Sequence, residues 1–288
     1  MVYLLAVASA LLYGAGDFTG GLATRRASTL PVLVLSQLSG LVLLAAVMPV
    51  LPPARPIRSD LLWGVSAALT GGLGVALLYR ALAVGRMAVV APTTAVCAVV
   101  IPVLVSVGLG ERPGALAVGG ILLGLGAIVL VSQQSEDGGT AGGHRGRLPA
   151  GVGMALVSGV AIGLFLLSLA RTRPEAGMWP ILVSRTVSVT LFGVAALASR
   201  QPFRVPGLLG LALLCGVLDM TANALYLVAA RTGPLSMVVT LASLYPASTV
   251  LLARVVLGER LNARQVVGVV CALAAIGLIV RGGGAVGP

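Results

Sequence analysis

The chain has 288 residues, of which 58% are hydrophobic and only 9% are charged, and its mean hydropathy is +1.07. A soluble globular domain carries about 25% charged residues, so this composition excludes an ordinary soluble protein and indicates a polytopic membrane protein. The chain has no lysine, and its 19 arginines against 8 acidic residues give a net charge of +11. The arginines fall mostly in short gaps between apolar runs. Arginines in such gaps are typical of interfacial anchors, and we expect no nucleic acid partner.

Ten apolar runs follow one another along the chain, and each is long enough to cross a hydrocarbon core of about 30 Å as an α-helix. The polar, glycine-rich segment 132–147 is predicted to be a linker between two five-helix halves, 1–131 and 148–281, and residues 282–288 a flexible tail. The runs cover residues 3–24, 30–50, 61–83, 87–108, 114–131, 148–171, 178–199, 206–230, 235–255 and 262–281.

The two halves are repeats of one another. The sequence LGER at 109–112 returns at 257–260, a shift of 257 − 109 = 148 residues, and Gly85 matches Gly233 at the same shift. A nearly constant shift across several helices indicates internal duplication. Because each half has an odd number of helices, the repeats are predicted to have opposite orientations, a plan that places the substrate site of secondary transporters near the midplane.

These features resemble the drug/metabolite transporter superfamily, in its EamA-like branch. The resemblance rests on the repeated LGER, on the proline-bearing segments APTTAVCAVVIP (91–102) and LASLYPASTVLLA (241–253), and on the two-by-five helix plan. It implies an all-α carrier with ten transmembrane helices as two inverted five-helix repeats. It also implies export of small organic molecules across the bacterial cytoplasmic membrane, with both termini cytoplasmic. The arginines are spread almost evenly between the two sets of loops, so charge bias does not confirm that orientation.

Asp219 stands near the centre of the eighth run, where an acid costs roughly 2.5–3.5 kcal/mol on insertion scales. Asn223 and Tyr226 follow at i+4 and i+7, so the three side chains share one helix face. This face is predicted to line a cavity, and the alternative is a polar clamp to a neighbouring helix.

Arg185 lies about one third into the seventh run. At a shift of 149 it aligns with Ser36, next to Gln37, so both halves place polar side chains at similar depth. Arg185 has three alternatives: to pair with Asp219 or Asp17, to hold a substrate carboxylate with its planar fork, or to snorkel to the nearer interface.

Asp17 occupies the stretch YGAGDFTGG (13–21) in the first run and has no acidic counterpart in the sixth. It is either a packed acid paired with an arginine or the acidic wall of the cavity that Asp219 lines. The surrounding glycines allow close approach of a neighbouring helix or leave room for a solute.

Other candidate residues come from both halves. Tyr79, Thr240 and Ser243 are predicted to line the cavity, although close packing through small residues explains the polar face of the ninth run equally well. Prolines inside helices remove a backbone hydrogen bond and kink the chain, which suits a gate. The candidate gating or kink residues are Pro92, Pro102 and Pro246.

The leading functional hypothesis is a secondary transporter that moves small organic metabolites by alternating access. An acid and an arginine in one cavity favour an amino acid or another zwitterion, and the few aromatic residues show no cage for a quaternary cation. Transport coupled to protons would require a carboxylate that titrates inside the membrane, for which Asp219 and Asp17 are the candidates. The alternatives are a passive channel or facilitator, or a membrane partner that transports nothing.

Enzymatic activity is not expected, since the chain has no HExxH, GxSxG or Walker-type motif. Three scattered cysteines and the single His144 indicate neither a metal site nor a cofactor. The expected partners are a small-molecule substrate, the lipid bilayer and, as an alternative to a monomer, a second copy in a homodimer.

Overall fold

The computed structural model describes residues 2–108, 114–132, 150–199, 205, 207–232, 241–242, 244–258 and 263–283. Within these ranges every regular element is helical, which confirms the all-α prediction for the described residues. Two 3₁₀-helices, Met48–Val50 and Pro174–Ala176, follow α2 and α6. The α-helices are α1 (Val2–Thr24), α2 (Thr29–Val47), α3 (Arg58–Val84), α4 (Met87–Gly108), α5 (Ala115–Ser132), α6 (Val152–Ala170), α7 (Trp179–Ala198), α8 (Leu209–Thr232), α9 (Tyr245–Leu257) and α10 (Ala263–Gly283).

Six of the described helices, α1, α2, α3, α6, α7 and α8, are long and apolar enough to cross a membrane. The other four hold shorter apolar stretches within the described residues. Large apolar side chains remain exposed on the outside of the bundle, for example Leu4 at 75% and Leu197 at 82%. Exposed leucines on apolar helices of this length face lipid, and the chain is a multi-pass membrane protein.

The predicted helix boundaries hold within a few residues except in the ninth run. That run was predicted as one helix over 235–255, whereas Leu244 lies in a turn and α9 begins at Tyr245. Pro246 therefore lies in the first turn of a helix, where its missing N–H costs nothing, and not in the middle of one as predicted, while its gating role stays a prediction. The predicted linker beyond Ser132 and the last residues of the predicted tail, 284–288, lie outside the described residues.

The two halves are packed into each other, and their contacts are exchanged between equivalent helices. The first helix of each half packs on the third helix of the other, so α1 contacts α8 and α3 contacts α6. Likewise α2 contacts α8 while α7 contacts α3, and the equivalent helices α2 and α7, α4 and α9, and α5 and α10 contact each other. One buried cluster joins Phe18 and Leu33 of the first half to Ala155, Cys215 and Ala253 of the second. The core is therefore shared by both halves.

Two arginines that are equivalent in the repeat hold opposite ends of α3. Arg25 donates to the carbonyl oxygens of Leu82 and Gly85 at 3.1 and 2.9 Å, which covers the C-terminal end of the helix. Arg173, at the repeat shift of 173 − 25 = 148, forms an ion pair of 3.1 Å with Asp60 at the N-terminal end. Since α3 has 27 residues, these ends lie about 40 Å apart by helical rise.

Close contact between α2 and α8 depends on Gly216. A Cβ atom added there would overlap the carbonyl oxygen of Ser36 and the hydroxyl of Ser39. The absence of a side chain lets Ser39 Oγ donate to the carbonyl oxygen of Leu213 at 3.0 Å. Small residues bring transmembrane helices together in this way, because lipid supplies no hydrophobic force between them.

The substitution Gly216→Ala is expected to lower the free energy of unfolding by about 1–3 kcal/mol, because the new methyl group meets α2 backbone that cannot move aside alone. Thermal denaturation of the purified protein in detergent measures the change. The matched control is Gly193→Ala in α7, where nothing lies within 4 Å of the added atom. There the exchange is expected to be neutral or to stabilise by up to about 1 kcal/mol, and equal effects at both glycines would contradict the account.

Candidate functional site

A cavity of about 160 Å³ lies among helices of both halves. Its apolar wall is formed by α3, α4 and α6 and includes Val75, Leu78, Ile162 and Phe165. Its polar wall is formed by α1, α2, α7, α8 and α9. The side chains with polar atoms in this wall are Tyr13, Asp17, Gln37, Ser184, Arg185, Ser188, Asp219, Asn223, Tyr226 and Tyr245.

The centre of the polar wall is an ion pair between Arg185 and Asp219. The guanidinium donates through Nη2 to Asp219 Oδ2 and through Nη1 to Gln37 Oε1. Asn223 Nδ2 donates to the backbone oxygen of Asp219 at 2.7 Å and to its carboxylate at 3.3 Å. The network joins α2, α7 and α8, and the side chains of Arg185 and Asp219 are only 10% and 24% exposed.

Pairing explains how two charges persist at this depth. An isolated buried charge costs several kcal/mol, which a partner with good geometry and further hydrogen bonds offset. Of the alternatives for Arg185, the structure therefore shows the pair with Asp219 and not a side chain that snorkels outward. Gly40 lies next to this pair and packs closely on α8, since a Cβ atom there would lie 3.1 Å from the carbonyl oxygen of Gly216.

The contact between Arg185 and Gln37 joins α7 of the second half to α2 of the first. The two residues are 148 apart, the same shift as that of the LGER repeat, whereas the sequence alignment paired Arg185 with Ser36. The cavity that these two side chains line therefore lies where equivalent positions of the two halves meet.

Asp17 lies in the cavity wall on α1, and no described arginine forms an ion pair with it. Close packing of α1 on α8 sets its position. A Cβ atom on the neighbouring Gly16 would lie 3.6 Å from the backbone nitrogen of Asp219, and Cys215 Sγ lies 3.5 Å from the carbonyl oxygen of Gly16. Of the two alternatives for Asp17, the structure shows the cavity wall and not the paired acid.

Aromatic side chains surround the cavity, and of these the sequence predicted only Tyr226. Tyr13 and Tyr245 meet edge to face with ring centroids 6.4 Å apart, and Tyr226 and Phe165 also contribute to the wall. Tyr13 precedes Asp17 by one helical turn, so its position on the same face was available from spacing alone. The positions of Tyr245 and Phe165 depend on how the two halves pack.

Tyr79 does not line the cavity, contrary to the prediction. Its side chain is 3% exposed, its ring lies against Gly20, and its hydroxyl is 2.9 Å from Cys215 Sγ. Tyr226 does reach the cavity, and so does Leu78, its equivalent at the shift of 226 − 78 = 148 residues.

The remaining candidate residues are not part of the described wall. Thr240 and Ser243 lie outside the described residues. Pro92 is buried within α4, which continues unbroken through Pro102 to Gly108, so a gating role for these prolines stays a prediction. Among the described residues, no three His, Cys, Asp or Glu side chains are grouped closely enough to hold a metal ion.

Breaking the central ion pair from one side is expected to destabilise the fold. Arg185→Gln or Asp219→Asn alone leaves an unpaired buried charge, and each is expected to lower the free energy of unfolding by about 2 kcal/mol or more. The double variant is expected to lose less than the sum, with a coupling on the order of 1 kcal/mol.

Denaturation of the four proteins in detergent measures this coupling. Arg171→Gln, in the exposed α6–α7 loop, is the control and is expected to change stability by less than about 0.5 kcal/mol. Strictly additive losses for Arg185 and Asp219 would show that the two side chains are not coupled.

Comparisons with known proteins agree with this architecture. The model of the EamA-like transporter family matches the chain twice, over residues 1–133 and 149–281. A protein of known crystal structure is similar over 96% of this chain and 95% of its own, with a TM-score of 0.60 and 17% identical residues, and it supports the fold alone. No curated protein sequence matches the chain. Because the family model covers nearly all of it, the chain belongs to the EamA-like transporter family, within the drug/metabolite transporter superfamily.

Proposed function

We propose that this membrane transporter is a secondary carrier that moves small organic solutes through the described cavity by alternating access. The observation that carries the proposal is the cavity itself, which lies where the two halves meet and holds an ion-pair network within a lipid-facing bundle. Ionisable side chains at such depth are costly and mark substrate or ion pathways. The physiological direction that we propose is export from the cytoplasm across a bacterial inner membrane.

The orientation of the repeats supports alternating access. Arg25 and Arg173 are equivalent in the duplication and bind opposite ends of one helix that is long enough to span the membrane. Equivalent loops on opposite sides of the membrane are what an inverted repeat requires. In carriers built this way, one half rocks against the other around a central site, and the site opens to each side in turn.

The contacts between helices in the shared core support movement of one half against the other. Contacts such as α1 with α8 and α3 with α6 are equivalent but formed by different side chains. Two conformations in which the halves exchange their packing therefore have similar, though not identical, free energies. A carrier needs two conformations of nearly equal free energy, since a difference of a few kcal/mol leaves one of them almost unpopulated.

Transport is tested by reconstitution. A comparison of metabolites in cells with and without the protein identifies candidate solutes, and proteoliposomes then measure their exchange. We expect saturable counterflow that Asp219→Asn lowers at least about tenfold, because the network around Arg185 loses its charge-assisted hydrogen bond.

The matched control is Glu175→Gln, which removes an exposed acid from the α6–α7 loop and is expected to leave counterflow unchanged. Flux that rises linearly with concentration, without counterflow, would indicate a passive channel instead. A folded protein with no flux for any candidate solute would indicate a membrane partner that transports nothing.

A further inference from the structure

The charges in the cavity wall do not balance. Among its described residues, Arg185 is the one basic side chain and Asp17 and Asp219 are the two acids, so with both acids ionised the net charge is 1 − 2 = −1. Arg185 is already paired with Asp219. When ionised, Asp17 is therefore the acid of the described wall that no arginine compensates.

The guanidinium of Arg185 is committed to protein partners. One terminal nitrogen donates to Asp219 and the other to Gln37, so two of its five N–H donors are taken and its charge is already paired. A substrate carboxylate would compete with Asp219 for the charge of Arg185 and would approach two acidic side chains. This arrangement disfavours anions and also the zwitterions that the sequence analysis favoured.

The surroundings of Asp17 suit an ammonium group with an apolar substituent. Tyr13 lies one turn before Asp17 on α1 and meets the ring of Tyr245. Carboxylate oxygens accept charge-assisted hydrogen bonds from an ammonium, and aromatic faces attract it. The wall formed by Val75, Leu78 and Phe165 offers apolar surface to the rest of the molecule.

We propose that the substrates of this cavity are small amphipathic amines, with the ammonium held at Asp17 and the apolar group against α3 and α6. This inference rests on the proposed transport function for its biological meaning, but the binding chemistry is testable separately. The Arg185–Asp219 pair then has a positioning role, because it holds α7 and α8 in place while leaving Asp17 as the free charge.

The test compares three probes that share a phenyl group on a short chain and differ in charge: 2-phenylethylamine, L-phenylalanine and 3-phenylpropionate. Isothermal titration calorimetry with the purified full-length protein measures their affinities. The amine is expected to bind at least about tenfold more tightly than the other two, and Asp17→Asn is expected to remove at least about tenfold of that affinity.

Two further variants separate charge from folding. Asp17→Glu keeps the charge and is expected to retain the preference for the amine, whereas Glu175→Gln removes an acid outside the cavity and is expected to change nothing. Thermal denaturation and gel filtration check that each variant is folded. Equal affinities for the three probes, an amine preference that survives Asp17→Asn, or no amine binding to the folded wild type would overturn the proposal.

The two proposals fail independently. Saturable counterflow of an anionic or zwitterionic solute, without amine binding, would overturn the amine proposal and support transport. Tight, Asp17-dependent amine binding without counterflow of any amine would support the amine proposal and overturn transport of amines.

Discussion

The ion pair between Arg185 and Asp219 is the interaction on which the rest of the site depends. Two charges within a lipid-facing bundle are stable together because each offsets the desolvation of the other, and Gln37 and Asn223 occupy further hydrogen-bonding positions. The pair joins α7 to α8, and Gln37 extends it to α2 of the other half. Because the buried polar groups of this network need their hydrogen-bond partners, the network fixes how these three helices pack and therefore where the cavity lies.

Duplication accounts for the arrangement of the helices, and positions at which the two halves differ account for the chemistry of the cavity. The equivalent helices exchange their contacts, yet Asp17 corresponds at the shift of 148 to Phe165, and both line the cavity. Gly71, the position equivalent to Asp219, has no side chain and leaves space for the ring of Phe165. One wall of the cavity is thus charged and the other apolar, although both descend from the same repeat. This asymmetry can orient a substrate with one polar end.

The sequence predicts the helices and the polar face of α8 well, because hydropathy and the 3.6-residue period act locally. Asp219, Asn223 and Tyr226 share a face for this reason. The partner of Arg185 was not predictable, since Asp17 and Asp219 were equally available until the packing of α1, α7 and α8 was known. The burial of Tyr79 against Gly20 and the turn before Pro246 likewise depend on contacts between helices that are distant in sequence.

The central claim is that solute passes through the cavity beside the ion pair, and selective chemical blockade tests it most directly. Ser184 lines the cavity next to Arg185, so Ser184→Cys, in a protein whose Cys97, Cys215 and Cys271 are replaced by alanine, places one reactive thiol there. Modification with methyl methanethiosulfonate is predicted to abolish counterflow in proteoliposomes, and excess substrate is predicted to slow the modification. Complete modification that leaves counterflow unchanged would contradict the account.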